Sequence, residues 1–399
     1  MNRLLLSLLL CVSLAAPAQH IAGFDAQEAR NLIQICNSFG YLELYGSDAA
    51  IIPADYSRTY TSPEYGMDNK FQMYVNRAKT KAVIHFRGST DQKSSWLENI
   101  YSSLIPAKDT IFKSETAFPY TCAENPEAAI HAGYMLALSY YIDDVLKQIQ
   151  DLNKQGIYTI YITGHSQGGA LAQLTRAYFQ FLPKSKLNPK NSFKVYAFAN
   201  PMIGNKIFAQ EYQRRFADPG FSFLLHNPED VVPKMPVSYN DSTFWKSNLQ
   251  TVLFDRENFS LKESVKEGIL SMMSGKVNKF NNSFSDNVQG QLVKLLGDFR
   301  MPKYREESNY MHTSKPILLP PTVYPLELKD SSILQNDSLM RICKRDANGV
   351  FENKNLYKRQ KSLLQHKAYN YYTALLKVYF EADYRNLKEK YFVMPKEKE

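Results

Sequence analysis

Cysteine is scarce in this chain, with four residues in 399. So few cannot staple a fold through disulfides, and hydrophobic packing must hold it together. Glycine (17) and proline (19) are also sparse, which excludes collagen-like and low-complexity architectures. Charged residues make up only 22%, beside 27 Tyr and 23 Phe, and that is far too apolar for a disordered chain. After the first segment, no apolar run reaches the ~20 residues needed to span a bilayer. No CxxC or Cys/His spacing marks a metal site, and no internal repeat is visible. The net charge of +9 lacks the concentrated stripe and the module of a nucleic-acid groove. Lys184, Lys186, Lys190 and Lys194, and the basic residues from Lys354 to Lys367, read as solvated surface with a weak pull toward anionic lipid.

What is present begins with an address. Met1 to Ala18 carries one basic residue, an apolar stretch from Leu4 to Ala16 and a small-x-small site at Ala16 and Ala18. This is the pattern of a secretory signal peptide, with cleavage expected after Ala18 and a secreted or periplasmic destination. Cleavage removes Cys11 and leaves Cys36, Cys122 and Cys343, so at most one internal disulfide can form.

Hydrophobic periodicity orders the rest. Asp25 and Glu28 form a capping box before Ala29, Leu32, Ile33 and Cys36 at helical spacing. Phe71–Asn76 and Lys81–Phe86 read as a β-hairpin. Helical patterns over Ala132–Gln155, Gly169–Phe181 and Ile207–Phe216 alternate with β-rich runs Ile157–Thr163, Phe193–Ala199 and Phe221–Leu225. That alternation predicts βαβ units and a mainly parallel sheet, an α/β class. Residues 240–300 are polar with weak helical stretches at Leu261–Met273 and Gln289–Leu296. Residues 320–355 read as irregular, and Leu363–Leu387 as strongly helical.

The chemistry centres on Gly164-His165-Ser166-Gln167-Gly168, between the Ile157–Thr163 strand and the following helix. A G-x-S-x-G string alone is weak and fits any glycine-rich turn. Strand before and helix after is the setting a nucleophile elbow requires. A serine hydroxyl needs a histidine to take its proton and a carboxylate to orient that histidine. Glu229 and Asp230 follow the Phe221–Leu225 strand on one loop, at the same sheet edge as the elbow. Local reasoning does not separate them.

Five segments together resemble the fungal-type (class 3) triacylglycerol lipases of the α/β-hydrolase superfamily. They are Val83–Thr90 (VIHFRGST), His131–Tyr134 (HAGY), the elbow, Phe198–Pro201 (FANP) with Gly204-Asn205, and Asn227–Pro233 (NPEDVVP), in the family's order. The resemblance spans roughly residues 70–235, with weaker echoes to about 380. It implies the α/β-hydrolase fold, a mainly parallel sheet flanked by helices, and a Ser-Asp-His order along the chain. In the family the acid directly precedes the Val-Val-Pro run, which selects Asp230 over Glu229. His366-Lys367-Ala368-Tyr369 resembles the segment that supplies the base. Tyr310-Met311-His312, before a strand at Ile317–Leu319, resembles a different family segment and makes His312 the alternative base.

The oxyanion of the tetrahedral intermediate needs N–H donors. The resemblance gives the first to Gln167 and the second to Ser89, whose hydroxyl is a further donor, with Thr90 the near alternative. Trp96, Leu97, Ile100 and Leu104 fall at helical spacing and read either as a lid, as in the family, or as a plain core helix. The implied reaction is ester hydrolysis on acylglycerols, with phospholipids or soluble feruloyl-type esters as the alternative and an inactive surface-binding relative as the rival. The partner is a lipid or ester substrate, at a lipid–water interface or free. No metal or organic cofactor is required by this chemistry, and no nucleic-acid partner is expected. Elbow, acid and base spread over the chain imply one catalytic domain over 19–399, with insertions at about 106–130, 240–300 and 320–355.

Overall fold

A computed structural model of the chain describes residues 20–38, 52–90, 92–236, 277–307, 309–336, 340, 343–347, 349–358 and 362–393. The expected signal peptide and the Leu261–Met273 stretch lie outside the described residues.

Seven strands form the main sheet. Their order is β1 (Tyr56–Thr61), β2 (Phe71–Asn76), β3 (Lys81–Phe86), β8 (Thr159–His165), β9 (Ser192–Phe198), β11 (Ser222–His226) and β14 (Ile317–Leu318). The first three pair antiparallel, β2–β3 being the expected hairpin, and from β3 onward every pairing is parallel. The central parallel strands β8 and β9 are buried on both faces, as such strands must be when helices cover them, while the edge strand β14 is not. Along β8, Ile160 and Ile162 face one core while Tyr161 faces the other, the period-2 alternation of a strand.

Helices α3 (Ala132–Lys154) and α4 (Gln167–Phe179) contribute to the first core, and α1 (Ala26–Asn37) and α7 (Ala368–Tyr379) to the second. Each large apolar side chain so buried contributes roughly 1.5–3 kcal/mol. Asp25 caps α1 by accepting from the Glu28 N–H at 2.9 Å. Only half of the capping box forms, because the Glu28 carboxylate turns to Lys194 at 2.7 Å and to the hydroxyls of Tyr161 and Tyr196. Lys194 is therefore buried, 1% exposed, and not part of a solvated basic face.

Other expectations change in the same way. α2 (Lys93–Ile100) ends before Leu104, which instead opens the short strand β4 (Leu104–Pro106). Leu97 and Ile100 are buried, so this segment lies in the core in this structure. The stretch after Pro106 forms an antiparallel hairpin, β5 (Lys108–Lys113) with β6 (Thr116–Thr121). β7 (Ala129–His131) pairs with β4 and with β10 (Gly204–Asn205), which leads into α5 (Lys206–Tyr212); β10 also pairs with β13 (Tyr310–Met311). The weak helical signal near 289–296 belongs to a longer helix, α6 (Val277–Leu296), followed by β12 (Phe299–Arg300) against β5. The expected helix over Leu363–Leu387 is divided: α7 begins at Ala368, and α8 (Glu381–Asn386) follows a break at Phe380. Cys36, Cys122 and Cys343 are free thiols.

Candidate active site

The parallel register brings the C-terminal ends of the strands to one edge. Phe86 pairs with Gly164, His165 with Phe198, and His226 with Leu318. Loops leaving that edge carry most of the residues singled out above, as the topology of open α/β sheets favours.

Ser166 is the single residue between β8 and α4, at φ 59° and ψ −132°. This left-handed backbone is costly for a side-chain-bearing residue and holds only because its surroundings fix it. Its N–H donates to the Phe198 carbonyl at 2.9 Å. The two flanking glycines answer a steric demand. A Cβ on Gly164 would lie 2.2 Å from the Gly168 backbone, and one on Gly168 would lie 2.1 Å from the Phe86 carbonyl oxygen.

The Ser166 hydroxyl lies 2.9 Å from His366 Nε2. His366 Nδ1 lies 2.7 Å from Asp230 Oδ2. Asp230 is fully buried, and its other oxygen accepts from the Val232 N–H at 3.0 Å. Glu229 points to solvent. With a proton on Nδ1, the imidazole presents an unprotonated Nε2 to the serine, the tautomer a general base needs. His312 goes elsewhere. Its ring packs 4.8 Å from that of His226, and burial pushes its pKa down to about 4. His165 lies half-buried under His366, ring centroids 4.6 Å apart, and desolvation drives its pKa well below the usual histidine range.

Two side chains that sequence reasoning missed tie the histidine to the acid loop. The Tyr371 hydroxyl donates to Asp230 Oδ2 at 2.7 Å and accepts from the Asn227 N–H at 3.0 Å. Gln365 accepts from Asn227 Nδ2 at 2.8 Å and donates to the Thr322 carbonyl at 2.8 Å. Tyr371 fell on the apolar face of a helical pattern, where nothing marks a hydroxyl as functional, and Gln365 carried no signal.

On the other side of Ser166, the Arg87–Ser89 loop runs against the elbow. A Cβ on Gly88 would lie 3.0 Å from the His165 carbonyl oxygen. The Ser89 hydroxyl donates to Gln167 Oε1 at 2.9 Å and accepts from Asn99 Nδ2 at 2.9 Å. The Thr90 hydroxyl donates to Asp68 instead. Among the described residues, neither the Gln167 nor the Ser89 backbone N–H has a hydrogen-bond partner.

A mainly parallel sheet, a strained strand-to-helix serine and loops gathered at one edge are the marks of the α/β-hydrolase fold. Residues 83–240 match the family described as lipase (class 3). Phospholipase A1-II 1 of Oryza sativa is 28% identical over 171 residues, 40% of this chain and 41% of that protein. A lipase of Rhizopus niveus is 30% identical over 110 residues, 27% of each chain. The chain thus spans less than half the length of these curated relatives. Among solved structures, a lipase from Rhizopus microsporus var. chinensis is 22% identical, covering 55% of this chain and 73% of that one at a TM-score of 0.40.

Proposed function

We propose that this chain is an exported serine ester hydrolase of the lipase type. The observation that carries the reading is the hydrogen-bonded series from Ser166 through His366 to Asp230 at the strand-to-helix turn. In this reading Ser166 attacks the ester carbonyl while His366 takes its proton, then returns it to the leaving alcohol. Asp230 holds the imidazole and favours its cationic form as charge develops, and Tyr371 holds Asp230 in place. The N–H groups of Gln167 and Ser89 receive the oxyanion, each such donor being worth on the order of 10²–10³ in rate. Water then cleaves the acyl-enzyme by the same proton relay. Acylglycerol esters are the proposed substrates. Similarity to a phospholipase A1 favours phospholipid esters as a second reading with identical chemistry.

We also take 1–18 as a signal peptide and 19–399 as one catalytic domain. Among the described residues no helix is long and apolar enough to cross a membrane, and one relative is a secreted mono- and diacylglycerol lipase of Penicillium cyclopium. A fluorophosphonate probe tests the nucleophile: the folded protein should be labelled at Ser166, and an unlabelled enzyme would sink the reading. Release of fatty acid from triacylglycerol emulsion against phosphatidylcholine vesicles separates the two substrate classes.

A further inference from the structure

One buried acid beside the oxyanion side of the site has no part in the proton relay. Glu98, on α2, is 0% exposed. Its Oε2 accepts from Asn69 Nδ2 at 2.7 Å. Its Oε1 and the Gln167 amide nitrogen are both buried without a well-formed hydrogen bond, yet the Gln167 amide is near enough to favour the ionised carboxylate. The oxygen of that same amide accepts from the Ser89 hydroxyl at 2.9 Å and from the Ser95 hydroxyl at 3.2 Å. The Gln167 side chain therefore bridges a buried carboxyl and the hydroxyl of a proposed oxyanion donor.

A carboxylate in such a place is costly unless fully satisfied. Burial pushes the Glu98 carboxyl up to about 8, opposed by the Asn69 and Gln167 amides and reinforced by the charge of Asp68. Asp68 itself pairs with Arg87 at 3.0 Å. From α3, Tyr134 and Tyr141 feel the Glu98 charge while their hydroxyls bond elsewhere, to Asn99 Oδ1 at 3.0 Å and Thr175 Oγ1 at 3.1 Å, and burial raises both pKa values far above the physiological range.

Resting on the ester hydrolase reading, we propose that Glu98 is a positioning residue that acts through the Gln167 side chain to aim the Ser89 hydroxyl at the oxyanion. A protonated carboxyl must donate, and a half-turn of the Gln167 amide offers it the amide oxygen. The amide nitrogen then donates to Ser89 Oγ, and the serine hydroxyl hydrogen is released toward the substrate. An ionised carboxyl takes the amide nitrogen instead, and the amide oxygen holds the Ser89 hydrogen away from the reaction. Ser95, able to donate or accept, fits either orientation.

The test is the pH dependence of kcat and KM on a p-nitrophenyl ester, for the full chain. The wild type should lose kcat by about tenfold as pH rises through about 8, with KM nearly constant, as expected for a donor engaged only in the transition state. Glu98→Gln, whose amide mimics the neutral acid, should abolish that alkaline loss at an unchanged melting temperature. Gln167→Leu, which keeps the backbone N–H, should also abolish it and should make Glu98→Gln silent in the double variant. An alkaline loss that survives in Glu98→Gln overturns the proposal, as does a wild type with no such loss. Should Glu98→Gln fail to fold, persistence of the loss in Gln167→Leu overturns it equally. Fluorophosphonate labelling separates the two failures: an unlabelled Ser166 ends the hydrolase reading, whereas a labelled one with an unaltered pH profile ends only this inference.

Discussion

The site is assembled from two kinds of region. Ser166 and Asp230 leave the ends of β8 and β11, strands separated only by β9 and locked to it by continuous parallel pairing. His366 follows a long stretch after β14 in which the described residues show short 3-10 turns and isolated bridges, Leu328 with Tyr357 and Arg345 with Phe351. The sheet region places its groups by apolar burial and backbone registration. The histidine region adds to the apolar burial of α7 a few polar ties on which the ring's placement depends, Gln365 to Asn227 and Tyr371 to Asp230. Damage should therefore register as lost folding on one side and as lost turnover on the other.

The largest effect tests the second side directly. His366→Ala should lower kcat/KM by about 10⁴-fold or more while the melting temperature stays close to wild type, and combining it with Ser166→Ala should add little. A purely structural histidine would give the reverse pattern. On the first side, Gly168→Ala should lower stability by about 3 kcal/mol or more in a denaturant titration, because its Cβ would meet the Phe86 carbonyl oxygen at 2.1 Å. A stable, active Gly168→Ala protein would break the contrast.

Tyr371→Phe sharpens it. The ring and its packing remain and only the hydroxyl to Asp230 and Asn227 is lost, so kcat should fall about tenfold, with a stability loss of about 1–2 kcal/mol. The smallest effect is expected at His312, where His312→Ala should keep kcat/KM within about threefold of wild type, as for a side chain outside the reacting set. Its pH signature is in stability. Its folded-state pKa of about 4 lies below the ordinary 6.5, so on acidification the unfolded chain takes the proton first. Stability is whole above about 6.5 and falls as pH drops toward 4. The variant should show a shallower acid loss by chemical denaturation. Part of the slope will remain, since burial lowers His20, His85 and His131 in the same direction.

The same division governs what could be read from the sequence. Strands Phe71–Asn76 and Lys81–Phe86 and the helix from Ala132 stand where periodicity puts them, because core burial imposes a repeat that local sequence displays. Ser166 stood out because steric demands at Gly164 and Gly168 leave few residue choices. Leu104 misled because one apolar residue fits a helix repeat and a strand start equally. The Leu363–Leu387 pattern ran together two helices and the segment carrying His366, since aromatic spacing does not show where hydrogen bonding breaks. Glu98 left no trace. Nothing local distinguishes a buried glutamate on a short helix from an exposed one, because its partner Asn69 comes from a different element.

In the proposed reading the base, His366, lies 200 residues beyond the nucleophile and 136 beyond the acid. Synthesis runs from the N-terminus at roughly 5–20 residues per second. The strand-to-helix serine thus emerges on the order of 10–40 seconds before its histidine. In the proposed reading the nascent chain therefore carries its nucleophile through that interval without its base.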